Sequence, residues 1–184
     1  MIRKLAHTLV ILLAMAAIGF VPTNALAGSV KDTGGYDAHY TKRDMQPISD
    51  QDGHVLMLTK ASGIATNPGG PLDGFSMTEH QTADLRQGNG PQQGYVIFGK
   101  GFDPRGKDRL IVRFEGNVTT TLKDGQPNTT MKGRYAIVSA SGVLAGMQGE
   151  GIYSGYFTAK NKYRIDWDGT RTVPKGAMVS AGKN

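Results

Sequence analysis

The chain has 184 residues, of which 21 are basic and 15 are acidic, so its formal net charge is +6, and it contains no cysteine. The lack of cysteine excludes disulfide bonds, thiolate catalysis and cysteine-ligated metal sites. The excess of basic residues is small and the sequence has no run of them, so the composition gives no support for a nucleic-acid partner.

The first 27 residues have the pattern of a secretory signal peptide. Arg3 and Lys4 give a positive start, residues 9–20 are apolar, and the small residues of the Ala-Leu-Ala sequence at 25–27 provide a cleavage site. A membrane anchor is the alternative, but the apolar run is short for a membrane span. We expect cleavage near Ala27/Gly28, no membrane span afterwards, and a periplasmic or secreted protein.

Residues 28–53 are polar, poor in aliphatic side chains, and contain paired glycines and Pro47. This composition predicts a loosely packed N-terminal arm. His39 and Tyr40 within it are candidates for capturing a ligand, although a solvated segment is the simpler interpretation. At the other end, residues 174–184 are predicted to be a flexible tail.

Short apolar runs alternate with turn signals throughout residues 54–173. Strands are predicted at residues 54–64, 75–86, 93–99, 108–122, 134–139, 151–158 and 162–167. About seven or eight strands without a long helix pattern predict an all-β domain, either an antiparallel barrel or a sandwich. The barrel is favoured because closure removes exposed strand edges.

Glycines are dense in residues 131–169 and are expected to serve turns, bulges and close backbone approach in a bent sheet. The rival interpretation is a phosphate-binding loop around Gly149, Gly151 and Gly155. It is not favoured, because no helix pattern and no Lys-Ser/Thr pair follows.

The first predicted strand of this domain is apolar on both faces. Leu56, Leu58 and Ile64 alternate with Val55 and Met57. We expect one face to pack into the interior and the other to meet an arm or a neighbouring subunit, so a homo-oligomer is an open alternative.

Three neighbouring segments, KGRY at 132–135, SASGVL at 139–144 and GMQGEGIYSG at 146–155, resemble the strand–turn–strand signature of the allene oxide cyclase and dirigent superfamily. The paired glycines usual in that turn are replaced here, and Leu144 stands at an aromatic position. DWDG at 166–169 is similar to the ending of exported bacterial proteins of this type. The resemblance implies an eight-stranded, calycin-like barrel with an apolar cavity, often oligomeric. Activities in the superfamily include cyclising a fatty-acid epoxide, steering phenoxy-radical coupling and isomerising natural-product intermediates, but no activity-specific motif carries over.

A barrel of about eight strands has room for side chains or one small ligand, so inward polar residues are the candidates for function. Glu79 is predicted to act as an acid or base if it is buried, and Arg113 to polarise a substrate oxygen or hold a carboxylate. The alternative places His80, Arg113 and Glu115 on the outer face as cross-strand charge pairs.

Four aromatic residues are predicted to line the cavity, with ordinary core packing as the alternative: Tyr95, Tyr135, Tyr153 and Trp167. The histidines and carboxylates lack metal-ligand spacing, and no Gly-x-Ser-x-Gly motif occurs, so we predict no metal, no cofactor and no serine nucleophile.

The sequence thus predicts an exported β-barrel that binds a small apolar or amphiphilic molecule, with a cofactor-free isomerase or cyclase as the enzymatic version. The alternative is a non-enzymatic structural or interaction module of the cell envelope with a filled barrel.

Overall fold

The computed structural model describes residues 28–101 and 106–172, which form one closed barrel of eight antiparallel strands. The strands are β1 (Ser29–Pro47), β2 (His54–Thr66), β3 (Ser76–Arg86), β4 (Gly90–Gly99), β5 (Arg109–Lys123), β6 (Gln126–Ser141), β7 (Gln148–Ala159) and β8 (Lys162–Thr172). Each strand pairs with the next, and β8 pairs with β1 to close the sheet. The predicted all-β antiparallel barrel is confirmed.

The predicted signal peptide and the predicted tail lie outside the described residues. Within the described part of the chain, no helix has the length and apolar character needed to cross a membrane.

The prediction of a loose N-terminal arm over residues 28–53 was wrong. Ser29–Pro47 is strand β1, which pairs with β2 along one edge and with β8 along the other. Its inward positions carry Tyr36, Ala38 and Tyr40, which are buried or half-buried. The segment was misread because its buried side chains are aromatic or small rather than aliphatic.

Alternation along the strands sorts side chains between the barrel interior and the solvent. In β3, Met77, Glu79 and Gln81 are buried, while His80 and Thr82 between and after them are exposed. The high polar content of this strand therefore reflects two polar side chains inside the barrel, not only a solvated outer face.

The two ends of the barrel are built differently. One end, which we call the hairpin end, has the short connections at residues 48–53, 87–89, 124–125 and 160–161. The other, the loop end, has the longer connections at residues 67–75 and 100–108 and a 3₁₀ turn at Gly142–Leu144. Chain ends 28 and 172 of the described part also lie at the loop end.

The loop at residues 67–75 is fixed over the loop end by one buried asparagine. The Asn67 side chain accepts a hydrogen bond from the Leu72 backbone N–H at 3.1 Å and donates to the Thr33 carbonyl at 2.8 Å. Its own backbone N–H donates to Asp73 Oδ1 at 2.9 Å. Leu72 is thereby held as a buried plug, together with Met147 from the β6–β7 connection.

Paired glycines make room for an aromatic ring inside the barrel. Gly116 on β5 lies opposite Gly133 on β6, and a Cβ atom on either would collide with the Tyr153 side chain and with neighbouring backbone. The close-approach interpretation of the glycines therefore holds here, whereas Gly142 and Gly146 have the positive φ of turn glycines, 64° and 78°.

The outer face of β2 carries Leu56, Leu58 and Ile64, which are 45%, 53% and 44% exposed. Val55 and Met57 alternate with them and pack against the core. The segment predicted to be an arm does not cover this face, because it forms strand β1.

Candidate functional site in the barrel lumen

Glu79 is a buried carboxyl group inside the barrel, and only 3% of it is exposed. Its Oε2 accepts a hydrogen bond from the Tyr36 hydroxyl at 2.6 Å. The Tyr163 hydroxyl lies close enough to stabilise the negative charge of Glu79, but without the geometry of a hydrogen bond. None of the ion pairs among the described residues involves Glu79.

Small side chains on the neighbouring strands leave room for these rings. Ala61 lies between Glu79 and Tyr40 in the strand register, and Ala38 lies opposite Tyr163. Both alanines are buried. Larger residues at these positions would fill the space in which the tyrosine hydroxyls approach the carboxyl group.

Burial raises the pKa of Glu79 from 4.5 to about 6, while the Tyr36 and Tyr163 hydroxyls oppose the shift by stabilising the charged form. Burial and the neighbouring Glu79 charge also raise the pKa of the Tyr36 hydroxyl, which therefore stays a hydrogen-bond donor. A carboxyl group that titrates near neutral pH can both accept and donate a proton under physiological conditions.

A second buried network crosses the interior from β3 and β4 to β7. Gln81 Nε2 donates to Gln92 Oε1 at 2.7 Å, and Gln92 Nε2 donates to the Tyr153 hydroxyl oxygen at 2.9 Å. Three polar side chains are thus linked to one another within the lumen by side-chain hydrogen bonds.

Two spaces lie along the lumen. The inner cavity has a volume of about 50 Å³ and is lined by residues that include Glu79, Tyr36 and Trp167. The outer cavity, toward the hairpin end, has a volume of about 180 Å³ and is lined by residues that include Tyr40 and Phe157.

Three side chains line both cavities and therefore separate them: Gln81, Gln92 and Met131. The two volumes are small beside the roughly 300–1,000 Å³ that drug-sized ligands occupy. In this conformation the inner cavity has room for water or for a small functional group.

Four of the six predicted site residues line the inner cavity: Glu79, Tyr135, Tyr153 and Trp167. Tyr153 and Trp167 are buried and Tyr135 is half-buried, with its ring packed over the paired glycines Gly151 and Gly169.

The prediction that Arg113 and Tyr95 face the lumen was wrong. They lie opposite each other on β5 and β4 with their side chains outside the barrel. Tyr95 is 49% exposed, and Arg113 forms an ion pair with Glu115 at 3.4 Å. The physical reason is the alternation of each strand, which turns the apolar neighbours of these residues inward.

The alternative interpretation is confirmed for the outer placement of His80, Arg113 and Glu115, but the cross-strand ion pair joins Glu115 to Arg134. Glu115 bridges Arg113 on its own strand and Arg134 on β6, and His80 is exposed. Hydrogen bonds and charge from Arg134 lower the pKa of Glu115.

Sequence reasoning missed four tyrosines and glutamines that complete the site, Tyr36, Gln81, Gln92 and Tyr163, whereas Tyr40 was already a candidate for capturing a ligand. Gln81 was within reach, since it follows Glu79 at the strand period of two. Tyr36 was not, because it lies in the segment misread as an arm.

In the part of the chain that the structure describes, no group of three or more His, Asp or Glu side chains is arranged to hold a metal ion. A comparison of the chain with known protein families, with curated proteins and with solved structures finds no significant match.

Proposed function

We propose that this protein binds a small apolar or amphiphilic molecule inside the barrel, with the polar group of the ligand at Glu79. The observation that carries the proposal is a buried carboxyl group, without a cationic partner, on the wall of a cavity. Burying such a group is costly, and an apolar side chain would serve the core better. Its presence is readily explained by a role in binding.

The hairpin end is the proposed entrance. The outer cavity lies there between Tyr40, Met57 and Phe157, whereas Leu72 and Met147 are packed into the lumen at the loop end. Met131 between the two cavities has a flexible, unbranched side chain that can move aside for a ligand. Together the two spaces would then accept a narrow molecule with its polar end innermost.

The enzymatic version adds proton transfer to binding. With a pKa of about 6, Glu79 would take a proton from a bound substrate and return it at another atom, while the Tyr36 hydroxyl holds the carboxyl group in place. Such chemistry fits a cofactor-free isomerisation or cyclisation, in which the walls of the lumen hold the reactive conformer. The signal-peptide pattern of residues 1–27 supports a site of action in the periplasm or outside the cell.

The binding proposal is tested with protein purified from the compartment to which it is exported. Native mass spectrometry is expected to detect a co-purifying small molecule, and a lipid and phenolic library is expected to contain compounds that raise the melting temperature. Glu79→Gln should weaken these shifts, while Arg113→Gln, on the outer face, should leave them unchanged. No co-purifying ligand and no shift across the library would contradict the proposal.

A filled barrel that acts through its surface is the second candidate, and the small inner cavity favours it. The exposed apolar face of β2 would then contact a partner or a second copy of the chain. Sedimentation of the wild type against Leu58→Asp tests this idea. An assembly that dissociates in the variant supports it, and a monomeric wild type contradicts the homo-oligomer.

A further inference from the structure

We infer that the polar group taken up by the lumen is a protonated amine, so that the ligand class is a small organic cation with a narrow apolar chain. This inference rests on the proposed function and names the ligand class of the same site. Three independent features support it: the charge of the lumen, its unused hydrogen-bond acceptors and its aromatic walls.

The first feature is an uncompensated negative charge. The two acids that line the inner cavity are Glu79 and Asp32. Asp32 is paired with Arg171, whose Nε lies 3.2 Å from Asp32 Oδ1. Among the described residues, Glu79 accepts a hydrogen bond from the Tyr36 hydroxyl and forms no ion pair, so when it is ionised the cavity holds a carboxylate that lacks a counter-charge. A ligand ammonium would supply that counter-charge.

The second feature is the hydrogen-bonding capacity that the protein leaves at the Glu79 carboxyl group, which lines the inner cavity. Tyr36 occupies only one oxygen of Glu79. An ammonium group carries three N–H donors and no acceptor, and it therefore matches a site built on a carboxylate.

The third feature is a connected series of aromatic rings around the carboxyl group. The Tyr36 ring lies 6.4 Å from Tyr163 and 6.1 Å from Phe98, and Tyr163 lies 5.2 Å from Tyr40. Aromatic faces carry negative charge density that attracts organic cations. One ring already holds a cation, because the Arg43 guanidinium lies 4.6 Å from the Tyr40 centroid.

The size of the cavities restricts the amine. About 50 Å³ beside Glu79 accommodates a primary ammonium and the first carbon atoms of its chain. The remaining chain would extend past Met131 into the outer cavity of about 180 Å³. A bulky quaternary ammonium head does not fit the inner space.

Isothermal titration calorimetry with three six-carbon probes tests the inference, because the probes differ only in the head group: hexylamine, hexan-1-ol and hexanoate. At pH 7.5 the wild type should bind hexylamine at least about tenfold more tightly than hexanol, and hexanoate most weakly. The preference for the amine should decline as the pH falls below about 6, because Glu79 becomes protonated while the amine keeps its charge.

Glu79→Gln should remove the preference for the amine, whereas Glu150→Gln, which makes the same chemical change on an exposed residue, should preserve it. Equal affinities for the amine and the alcohol, or tighter binding of the alcohol or the acid, would overturn the amine inference and leave lumen binding intact. If none of the three probes binds, the inference is overturned. If the lipid and phenolic library also gives no ligand, the proposed function fails with it.

Discussion

At the residue scale, Glu79 carries an energetic cost within the folded protein. Its pKa is raised from 4.5 to about 6, and each pKa unit corresponds to about 1.4 kcal/mol. Because the folded state binds this proton more tightly than the unfolded state does, the stability of the protein falls as the pH rises from 4.5 through 6. Above that range the cost is constant at about 2 kcal/mol.

The substitution Glu79→Gln should therefore stabilise the protein at pH 8 by about 1–2 kcal/mol, since it removes a buried charge but keeps an acceptor for Tyr36. The advantage should vanish at pH 4, where wild-type Glu79 is protonated. Urea unfolding of both proteins at pH 8 and pH 4 measures the difference in stability between variant and wild type.

Glu150→Gln is the control for the loss of one negative charge. The account is refuted if the stability of Glu79→Gln minus that of the wild type is smaller at pH 8 than at pH 4.

A second titratable cluster lies at the hairpin end and consists of His54, Asp50 and Asp84. His54 is 6% exposed, with Nδ1 2.5 Å from Asp50 Oδ1 and Nε2 2.7 Å from Asp84 Oδ1. A neutral imidazole has one N–H, and only the imidazolium donates to both carboxylates. The hydrogen bond to Asp50 raises the pKa of His54 above 6.5, although burial partly opposes it.

The stabilisation from His54 should be fully present below pH 6.5 and lost as the pH rises through the higher pKa of the folded state. His54→Gln should remove this loss of stability above pH 6.5. The measurement is the free energy of unfolding between pH 6 and 9. It is made in the Glu79→Gln background so that titration of the Glu79 carboxyl does not contribute. His80→Gln, an exposed histidine, should keep the wild-type slope, and an unchanged slope in His54→Gln would contradict the assignment.

At the element scale, β1 is the strand that closes the barrel. It forms hydrogen bonds with both β2 and β8 and contributes Tyr36 and Tyr40 to the lumen. Without it both neighbours would become open edges, and unpaired edges promote aggregation.

A chain lacking residues 28–47 should accordingly fail to fold, although the sequence assigns the barrel domain to residues 54–173. Near-UV circular dichroism should show no native aromatic signal, and a synthetic peptide of residues 28–53 should restore part of it. A truncated chain with the native spectrum and full stability would contradict the closure by β1.

The β5–β6 pair depends on the paired glycines beneath Tyr153. Gly133→Ala would place a Cβ atom against the ring and the opposing backbone, and this overpacking should cost about 1–3 kcal/mol. Urea unfolding measures the loss. Ser139→Ala, an exposed position on the same strand, is the control, and equal stability of the two variants would mean that the ring is not held against the glycines.

The sequence predicted the strands better than it predicted which side chains they bring into contact. Alternation of Leu110, Val112 and Phe114 already indicates that Arg113 points outward, so its outer position could have been predicted from the sequence. Both faces of the strand that holds Tyr95 are apolar, so its direction could not. The contact between Tyr36 and Glu79 joins residues 43 positions apart and depends on the register of three strands, which no local pattern contains.

At the scale of the whole molecule, the described barrel encloses a lumen that Leu72 and Met147 line toward the loop end and that Gln81, Gln92 and Met131 divide in two. Glu79 lies on the wall of the inner part, behind that division. The fold therefore provides a small, largely apolar space with one ionisable group, and the central claim is that this group meets the polar end of a ligand.

Carbon-13 NMR titration of the Glu79 side-chain carboxyl, assigned by its absence in Glu79→Gln, tests that claim most directly. The free protein should show a pKa of about 6, and saturating hexylamine should lower it, because a bound ammonium stabilises the carboxylate. A pKa at the ordinary value of 4.5 in the free protein, or one of about 6 that neither hexylamine nor any ligand from the library displaces, would contradict the claim.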